Sequence, residues 1–444
     1  MAQRRFLDRV LRRGTRRTPG RIELEVAPGL PERDIDRIRE IITDVLRLHD
    51  AMTQRAEAAA VADAYLTLSD DGRRKFLHML ATEFWTDHDA VDDAVHTLQQ
   101  GGNRLVTEQN LRDALTPRAV TLLRLFTGLD DGVKFLVDLR GDVLRVGGDD
   151  DALSDLSREL KAHLATLFDV GLLTLRRITW DAPASLLEKL IEYEAVHAIQ
   201  SWDDLKNRLD SDRRCYAFFH PAMPNEPLVF VEVALTTGIA TSLPPLLDTR
   251  TEAVDVDRAD TAVFYSISNC QRGLAGVNLG TALIKQVVEA LRFDLPHLDQ
   301  FVTLSPIPGF RRWLEETLTA GTLSNAEREM LPAEPARVLA RLGDPDWSVD
   351  EAIQSPLLAL CARYLTAAPE GRVTDPVANF HLSNGATVER VDWMADPSPT
   401  GQQRSFGLMV NYLYDDERIN ERAEDYVAKG EVTMSGSVKE LLAG

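Results

Sequence analysis

The chain has 444 residues, of which 44% are hydrophobic and 27% charged, enough for two or three domains with sizeable buried cores. Its formal net charge of −20 argues against general nucleic-acid binding, which needs a basic surface, and no apolar run approaches the roughly 18 residues needed to span a membrane. Three cysteines (Cys215, Cys270 and Cys361) lie far apart without a C-x-x-C pair, which fits a reducing compartment and neither a disulfide framework nor a zinc site.

Residues 1–30 form an arginine-rich arm, with eight arginines against the single acid Asp8 inside residues 1–21. Such a start reads as a disordered arm, a mitochondrial transit peptide or a contact with an anionic membrane. It has no apolar core and so is not a secretory signal, and residues 441–444 carry no peroxisomal S-K-L. From residue 31 the pattern is helical: Ile35, Ile38, Ile42, Val45 and Leu46 make an apolar stripe with charges between them. Ser69-Asp70-Asp71 signals a helix start before Phe76, Leu77 and Leu80. Further helices are expected at 89–100, 107–114, 117–126, 132–139, 151–168 and 182–192, punctuated by glycines. Residues 31–195 are therefore expected to form an all-α domain. Asp87-His88-Asp89 has no partner at metal-ligand spacing and reads as a solvated helix start, while His78 and His163 read as helix-face or core histidines.

The period then changes. Residues 215–219 and 228–235 read as strands around a turn at 221–227. Residues 261–268 are β-branched and aromatic, with Val263, Tyr265 and Ile267 on one face and Ala262, Phe264 and Ser266 on the other. Gly273, Gly276 and Gly280 follow, and from Thr281 the apolar residues Leu283, Ile284, Val287, Val288 and Leu291 are helical in period. Glycines leading into a helix start let backbone N–H groups approach a phosphate, although a plain strand-to-helix turn fits the same residues. The spacing matches neither a dinucleotide fingerprint nor a P-loop. A strand at 301–304 runs into Ser305-Pro306-Ile307-Pro308-Gly309, and a helical insertion is expected at about 323–371. Strand character resumes over 380–394 around Ser383-Asn384-Gly385, where Asn-Gly signals a hairpin, and 418–442 reads as a terminal helix or tail. The fold class is thus α+β: an N-terminal helical domain, then a mixed β-sheet domain flanked by helices over 196–444.

Two side chains could carry chemistry. Ser305 precedes Pro306, which biases it towards extended geometry at the carboxyl end of a strand, although it also fits a turn-capping serine. His381, placed at a strand start, could trade a proton near neutral pH or be a satisfied histidine of a half-buried sheet.

The strings that decide between these readings are SPIPGF at 305–310, NFHLSNGA at 379–386, VDWMAD at 391–396, GLMVNYLY at 407–414 and RRCYAFFH at 213–220. Over roughly 171–414 they resemble the malonyl-CoA decarboxylase family, whose catalytic domain is GNAT-like, and the glycine loop resembles the pyrophosphate-binding loop of GNAT acyltransferases. The resemblance implies conversion of malonyl-CoA to acetyl-CoA and carbon dioxide without metal or organic cofactor. It makes Ser305 and His381 the catalytic pair, and Ala275, Gly276, Val277, Asn278, Leu279, Gly280 and Thr281 the substrate-binding loop. Asn278 stands where relatives often carry glutamate. The helical domain is implied to take part in subunit association as a homo-oligomer, and the compartment to be the cytoplasm or the mitochondrial matrix. Two alternatives use the same loop: a GNAT-type N-acyltransferase, and a non-catalytic acyl-CoA sensor.

Overall fold

The computed structural model describes residues 24–443 apart from positions 49, 345 and 416, so the arginine-rich stretch at 1–21 lies outside the described residues. Packing divides the chain into two units. One comprises the residues up to Leu173 with His220–Pro224 and Gln271–Val277, and the other Thr174–Phe219, Asn225–Cys270 and the chain from Asn278 onward.

The first unit is helical, with helices Glu32–Arg47, Ala51–Leu66, Asp70–Glu83, His88–Gln100, Arg104–Leu115, Arg118–Thr127, Gly132–Val146 and Asp151–Leu167. Its first stripe behaves as its period requires, with Ile38, Ile42 and Val45 buried. Ser69 caps the third helix by accepting from the Gly72 N–H. Asp87 does the same for the next helix through Ala90, so Asp87-His88-Asp89 is a helix start, as expected. Phe76, Leu80, Phe126, Leu136, Leu156 and Leu160 are fully buried, and each contributes about 1.5–3 kcal/mol by leaving water.

The second unit is built on a mixed sheet. Its strands are β1 (Thr174–Ile178), β2 (Arg213–Phe219), β3 (Val229–Thr236), β4 (Thr261–Asn269), β5 (Gln300–Thr303), β6 (Ser305–Pro306), β7 (Thr387–Asp392) and β8 (Met409–Leu413). Their order is β1-β2-β3-β4-β5-β8-β6, with β7 on β8. Only β4 and β5 run parallel, joined by the helix Gly280–Asp294, whose Leu283, Ile284, Val287, Val288 and Leu291 are buried. A helix followed by mixed sheet is the α+β class read from the sequence. Strand β1 was not foreseen: it is an edge strand paired to β2, and with four of its five residues exposed or half-buried it carries no apolar alternation to read. Behind it, the helix Ala184–Tyr193 packs Leu186, Leu187 and Leu190 with Cys215 and Ala217 of β2.

Two features of this sheet open a site. Pairing of β3 with β4 steps from Glu232–Ser266 to Val233–Phe264, so Tyr265 is the extra residue of a bulge. Beyond the Phe264–Thr303 pair the chain leaves β4, and Ser305 and Pro306 pair with Val410 and Met409 of β8 instead. The carboxyl half of β4 and the short β6 therefore diverge, and Ser305 sits on the lip of that divergence.

The structure corrects two local readings. Residues 380–383 belong to the helix Pro376–Ser383 and not to a strand, so His381 is helical. The Asn-Gly pair closes that helix and makes no hairpin. Gly385 takes a left-handed φ of 77°, its N–H donates to the Leu382 carbonyl at 2.9 Å, and the Ala386 N–H donates to the His381 carbonyl at 3.1 Å. This is a Schellman cap, which needs the same φ > 0 residue as a hairpin turn and so leaves the same sequence signal.

Candidate active site

The site begins with the short strand β6. Pro306 and Pro308 stiffen the turn after Ser305 and deliver the chain into the helix Phe310–Ala320, with Ile307 and Phe310 buried as anchors. Ser305 is itself buried, at 6% exposure, and its hydroxyl lies 2.9 Å from Thr303 Oγ1 and 3.1 Å from His381 Nε2. One hydrogen bond thus joins two residues 76 positions apart in the chain.

His381 is placed by the opposite arm. Asp375 caps the helix Pro376–Ser383, accepting from the Val377 and Ala378 N–H groups, and Pro376 supplies the preset φ of a first helical residue. One turn on, His381 points inward with Ala378 and Leu382. Its ring stacks on Tyr412 with centroids 4.5 Å apart, and its Nδ1 lies 2.7 Å from the Tyr414 hydroxyl. Burial pushes the imidazole pKa down to about 3, so the free site holds neutral histidine at any physiological pH. A neutral ring has one donor and one acceptor nitrogen. In one tautomer Tyr414 donates to Nδ1 and Nε2–H donates to Ser305, whose hydroxyl donates to Thr303. In the other, Ser305 donates to Nε2 and Nδ1–H donates to Tyr414. The row Thr303–Ser305–His381–Tyr414 can thus pass a proton in either direction. Tyr414 also lines a 310 Å³ groove with Ile284, Lys285, Ile419 and Asn420.

Tyr414 was not singled out from the sequence. Its signal was present in GLMVNYLY, where period-two alternation sets Tyr412 and Tyr414 on one face and Asn411 on the other. Asn411 is fully buried and ties β8 to β5 through the Thr303 carbonyl at 2.8 Å.

The predicted loop residues fall into two groups. Ala275, Gly276 and Val277 end the stretch that packs within the helical unit, and Asn278 begins the sheet unit. Leu279 is buried, whereas Asn278 is exposed and accepts the Thr281 hydroxyl on its side-chain oxygen at 2.7 Å. No side chain caps the start of the helix Gly280–Asp294, so its first N–H groups remain available to an anion. Gly280 is where this helix meets the His381 helix: a Cβ there would stand 3.0 Å from the Phe380 ring. Among the described residues no cluster of three His, Cys, Asp or Glu side chains suits a metal ion, and Cys215, Cys270 and Cys361 are all unbonded.

Comparison with known proteins supplies the family. The sequence model described as malonyl-CoA decarboxylase C-terminal domain matches residues 171–444, and that of the malonyl-CoA decarboxylase N-terminal domain matches 84–168. The mitochondrial malonyl-CoA decarboxylases of Anser anser anser and Rattus norvegicus are each 38% identical, over 397 and 402 residues. These matches span 82% and 84% of this chain and 79% and 82% of those proteins. Crystal structures of malonyl-CoA decarboxylase from Agrobacterium vitis and Rhodopseudomonas palustris align with a TM-score of 0.85 at 39% and 37% identity. Each alignment covers 91% of this chain and 99% of the other. With both of its units matched and the motif-bearing half matched without interruption, the chain belongs to the malonyl-CoA decarboxylase family.

Proposed function

We propose that this carboxy-lyase converts malonyl-CoA to acetyl-CoA and carbon dioxide at the Ser305–His381 pair, with Tyr414 as the third member of the site. The observation that carries this reading is the buried hydrogen-bonded row itself, standing on the lip where β4 and β6 diverge. The thioester carbonyl is the electron sink: loss of carbon dioxide breaks the C–C bond and leaves its electron pair on an acetyl-CoA enolate. What the protein must supply is a desolvated place for the carboxylate, a donor to the enolate oxygen and a proton for the α-carbon. Ser305 orients the malonyl group by hydrogen bond. The arriving carboxylate raises the pKa of the neutral, buried His381, which takes up a proton on binding. After carbon dioxide leaves, that proton passes from Nε2 to the α-carbon and His381 is neutral again. The loop at residues 275–281 and the uncapped helix start hold the phosphates of the coenzyme.

Turnover of malonyl-CoA by the purified chain, with carbon dioxide and acetyl-CoA quantified together, tests the reading. Equal amounts of both are expected without any added amine. Coenzyme binding with no product would leave a sensor, and product only with an amine would leave an acyltransferase. Ser305→Ala is expected to lower kcat about a hundredfold, the scale of one lost transition-state contact. Tyr414→Phe removes the hydroxyl on Nδ1 and is expected to lower kcat about tenfold with KM little changed. Combined with His381→Gln, Tyr414→Phe should cost nothing further. An additive loss would remove Tyr414 from the row.

Subunit association through the helical unit is supported by the helices His88–Gln100 and Arg104–Leu115. They pack on each other yet leave Leu105, Val106 and Leu115 80%, 51% and 52% exposed. Light scattering should give a mass above that of one chain, reduced by Leu105→Arg. Unbonded cysteines fit the cytoplasm, with the mitochondrial matrix as the alternative, and recovery from an oxidising compartment would overturn both. Among the described residues no helix is long and apolar enough to cross a membrane.

A further inference from the structure

We propose that Lys161 binds a phosphate group of the coenzyme A thioester, over a loop that Arg140 fixes from beneath. The proposal rests on the acyl-coenzyme A reading above, and all of its observations lie within the helical unit.

Arg140, on the helix Gly132–Val146, is 5% exposed. Its Nη1 donates to the carbonyls of Gly273 at 2.6 Å and Ala275 at 2.8 Å, and its Nε to the carbonyl of Ser157 at 3.2 Å. Every one of these partners is a carbonyl dipole and none is a carboxylate. Burial lowers the guanidinium pKa, yet arginine stays ionised in proteins, so a full positive charge is kept out of water with no counter-ion among the described residues. Such a charge is stabilised when an anion comes to the loop above it.

The loop is shaped for that anion. The Ala275 carbonyl points at Arg140, and in a planar trans peptide the following N–H, that of Gly276, points the opposite way. Among the described residues the Gly276 N–H has no acceptor, and Gly276 is exposed with a φ of 76° that only glycine takes without strain. Lys161, on the helix Asp151–Leu167, lies across it: a Cβ built on Gly276 would stand 3.0 Å from the Lys161 Nζ and 3.2 Å from its Cε. Lys161 is exposed and, among the described residues, makes no ion pair. An outward N–H, a free ammonium beside it and a buried guanidinium below form a positive spot on a chain of net charge −20. On so acidic a protein a polyanionic ligand needs a local cation to overcome the general repulsion. The ligand class this set fits is a phosphate monoester or diester, and coenzyme A carries both as its 3′-phosphate and its diphosphate.

Lys161 touches none of the reacting atoms, so it acts on binding and not on the chemical step. The test compares the full chain with Lys161→Gln and Lys161→Arg on three substrates: malonyl-CoA, malonyl-3′-dephospho-CoA and phosphate-free malonyl-pantetheine. Lys161→Gln is expected to raise KM for malonyl-CoA about tenfold, the scale of one charge-assisted hydrogen bond, with kcat unchanged. Malonyl-pantetheine should be turned over as by the parent chain, and Lys161→Arg should restore most of the affinity. A deficit that persists with the dephospho substrate assigns Lys161 to the diphosphate, and one that disappears assigns it to the 3′-phosphate; either upholds the proposal. An equal loss with malonyl-pantetheine, or no loss with malonyl-CoA, overturns it. If the parent chain turns over no thioester, the decarboxylase reading fails on its own. Calorimetric binding of coenzyme A then still decides Lys161, with a Kd about tenfold weaker in Lys161→Gln expected and an unchanged Kd overturning it. Replacing the buried Arg140 risks unfolding the unit, so the test is placed at the surface lysine.

Discussion

His381→Gln is expected to lower kcat for malonyl-CoA about a thousandfold, within the range that a lost general acid costs, while coenzyme A binds within a few-fold of the parent. Glutamine can keep a hydrogen bond towards Ser305 but has no proton to give near neutral pH, so it separates the chemistry from the packing. The pH behaviour follows from burial. The free site holds its imidazole near a pKa of about 3, so the break in kcat/KM near pH 6.5, typical of an exposed catalytic histidine, should be missing. Binding of the malonyl carboxylate should instead draw in one proton, read by calorimetry in buffers of different ionisation enthalpy, and His381→Gln should draw in none. Proton uptake retained in the variant would move the acid elsewhere.

The same shift has a consequence for folding. The folded pKa lies below the unfolded value of 6.5, so the unfolded chain takes the proton first as the pH falls. The stability that neutral His381 contributes is present above 6.5 and is lost between 6.5 and 3. In that window the slope of stability against pH should be smaller by about 1.4 kcal/mol per pH unit in the glutamine variant.

What could be read beforehand and what could not divides along physical lines. Amphipathic helices announce themselves through their period, and the stripe is buried at Ile38, Ile42 and Val45 and half-buried at Ile35 and Leu46. Strand β4 was equally legible, being β-branched and central, whereas β1 is a mostly exposed edge whose Arg176 and Arg177 give no alternation. The bulge at Tyr265 left no mark, because a bulge is a property of the pairing between strands. Ser305 and His381 were legible as chemistry through their motifs, but not as geometry. His381 reaches Ser305 from a helix, and the Asn-Gly after it belongs to a cap that a hairpin would write in the same letters. Arg140 had no signal at all: an arginine in an amphipathic helix reads as a solvated face until the fold lays carbonyls over it.

Asp375→Ala is expected to be strongly destabilising, by about 2–4 kcal/mol, a large share of the 5–15 that a folded domain has. Asp375 is fully buried, and burial pushes its carboxyl pKa up against the N–H bonds that hold it ionised. Its carboxylate accepts from Val377 and Ala378 at 2.9 Å each, and more weakly from the Tyr364 hydroxyl at 3.4 Å. One side chain thus links the helix that carries His381 to Tyr364, whose ring packs on Phe310 at the start of the helix that follows Ser305. Alanine removes a helix cap, worth about 1 kcal/mol, and leaves the Tyr364 hydroxyl unpaired at about 1–3 kcal/mol. Asparagine separates the two duties. It caps a helix as well as aspartate does, but its amide offers one acceptor oxygen where the carboxylate offers two. Asp375→Asn should therefore keep the cap of the His381 helix and lose the acceptor that faces Tyr364. Urea unfolding should show a loss about half that of alanine, and kcat should fall about tenfold as Ser305 loses its fixed distance to Nε2. If Asp375→Asn matched the parent in both measurements, the tie between the two arms of the site would have no part in holding Ser305 against His381.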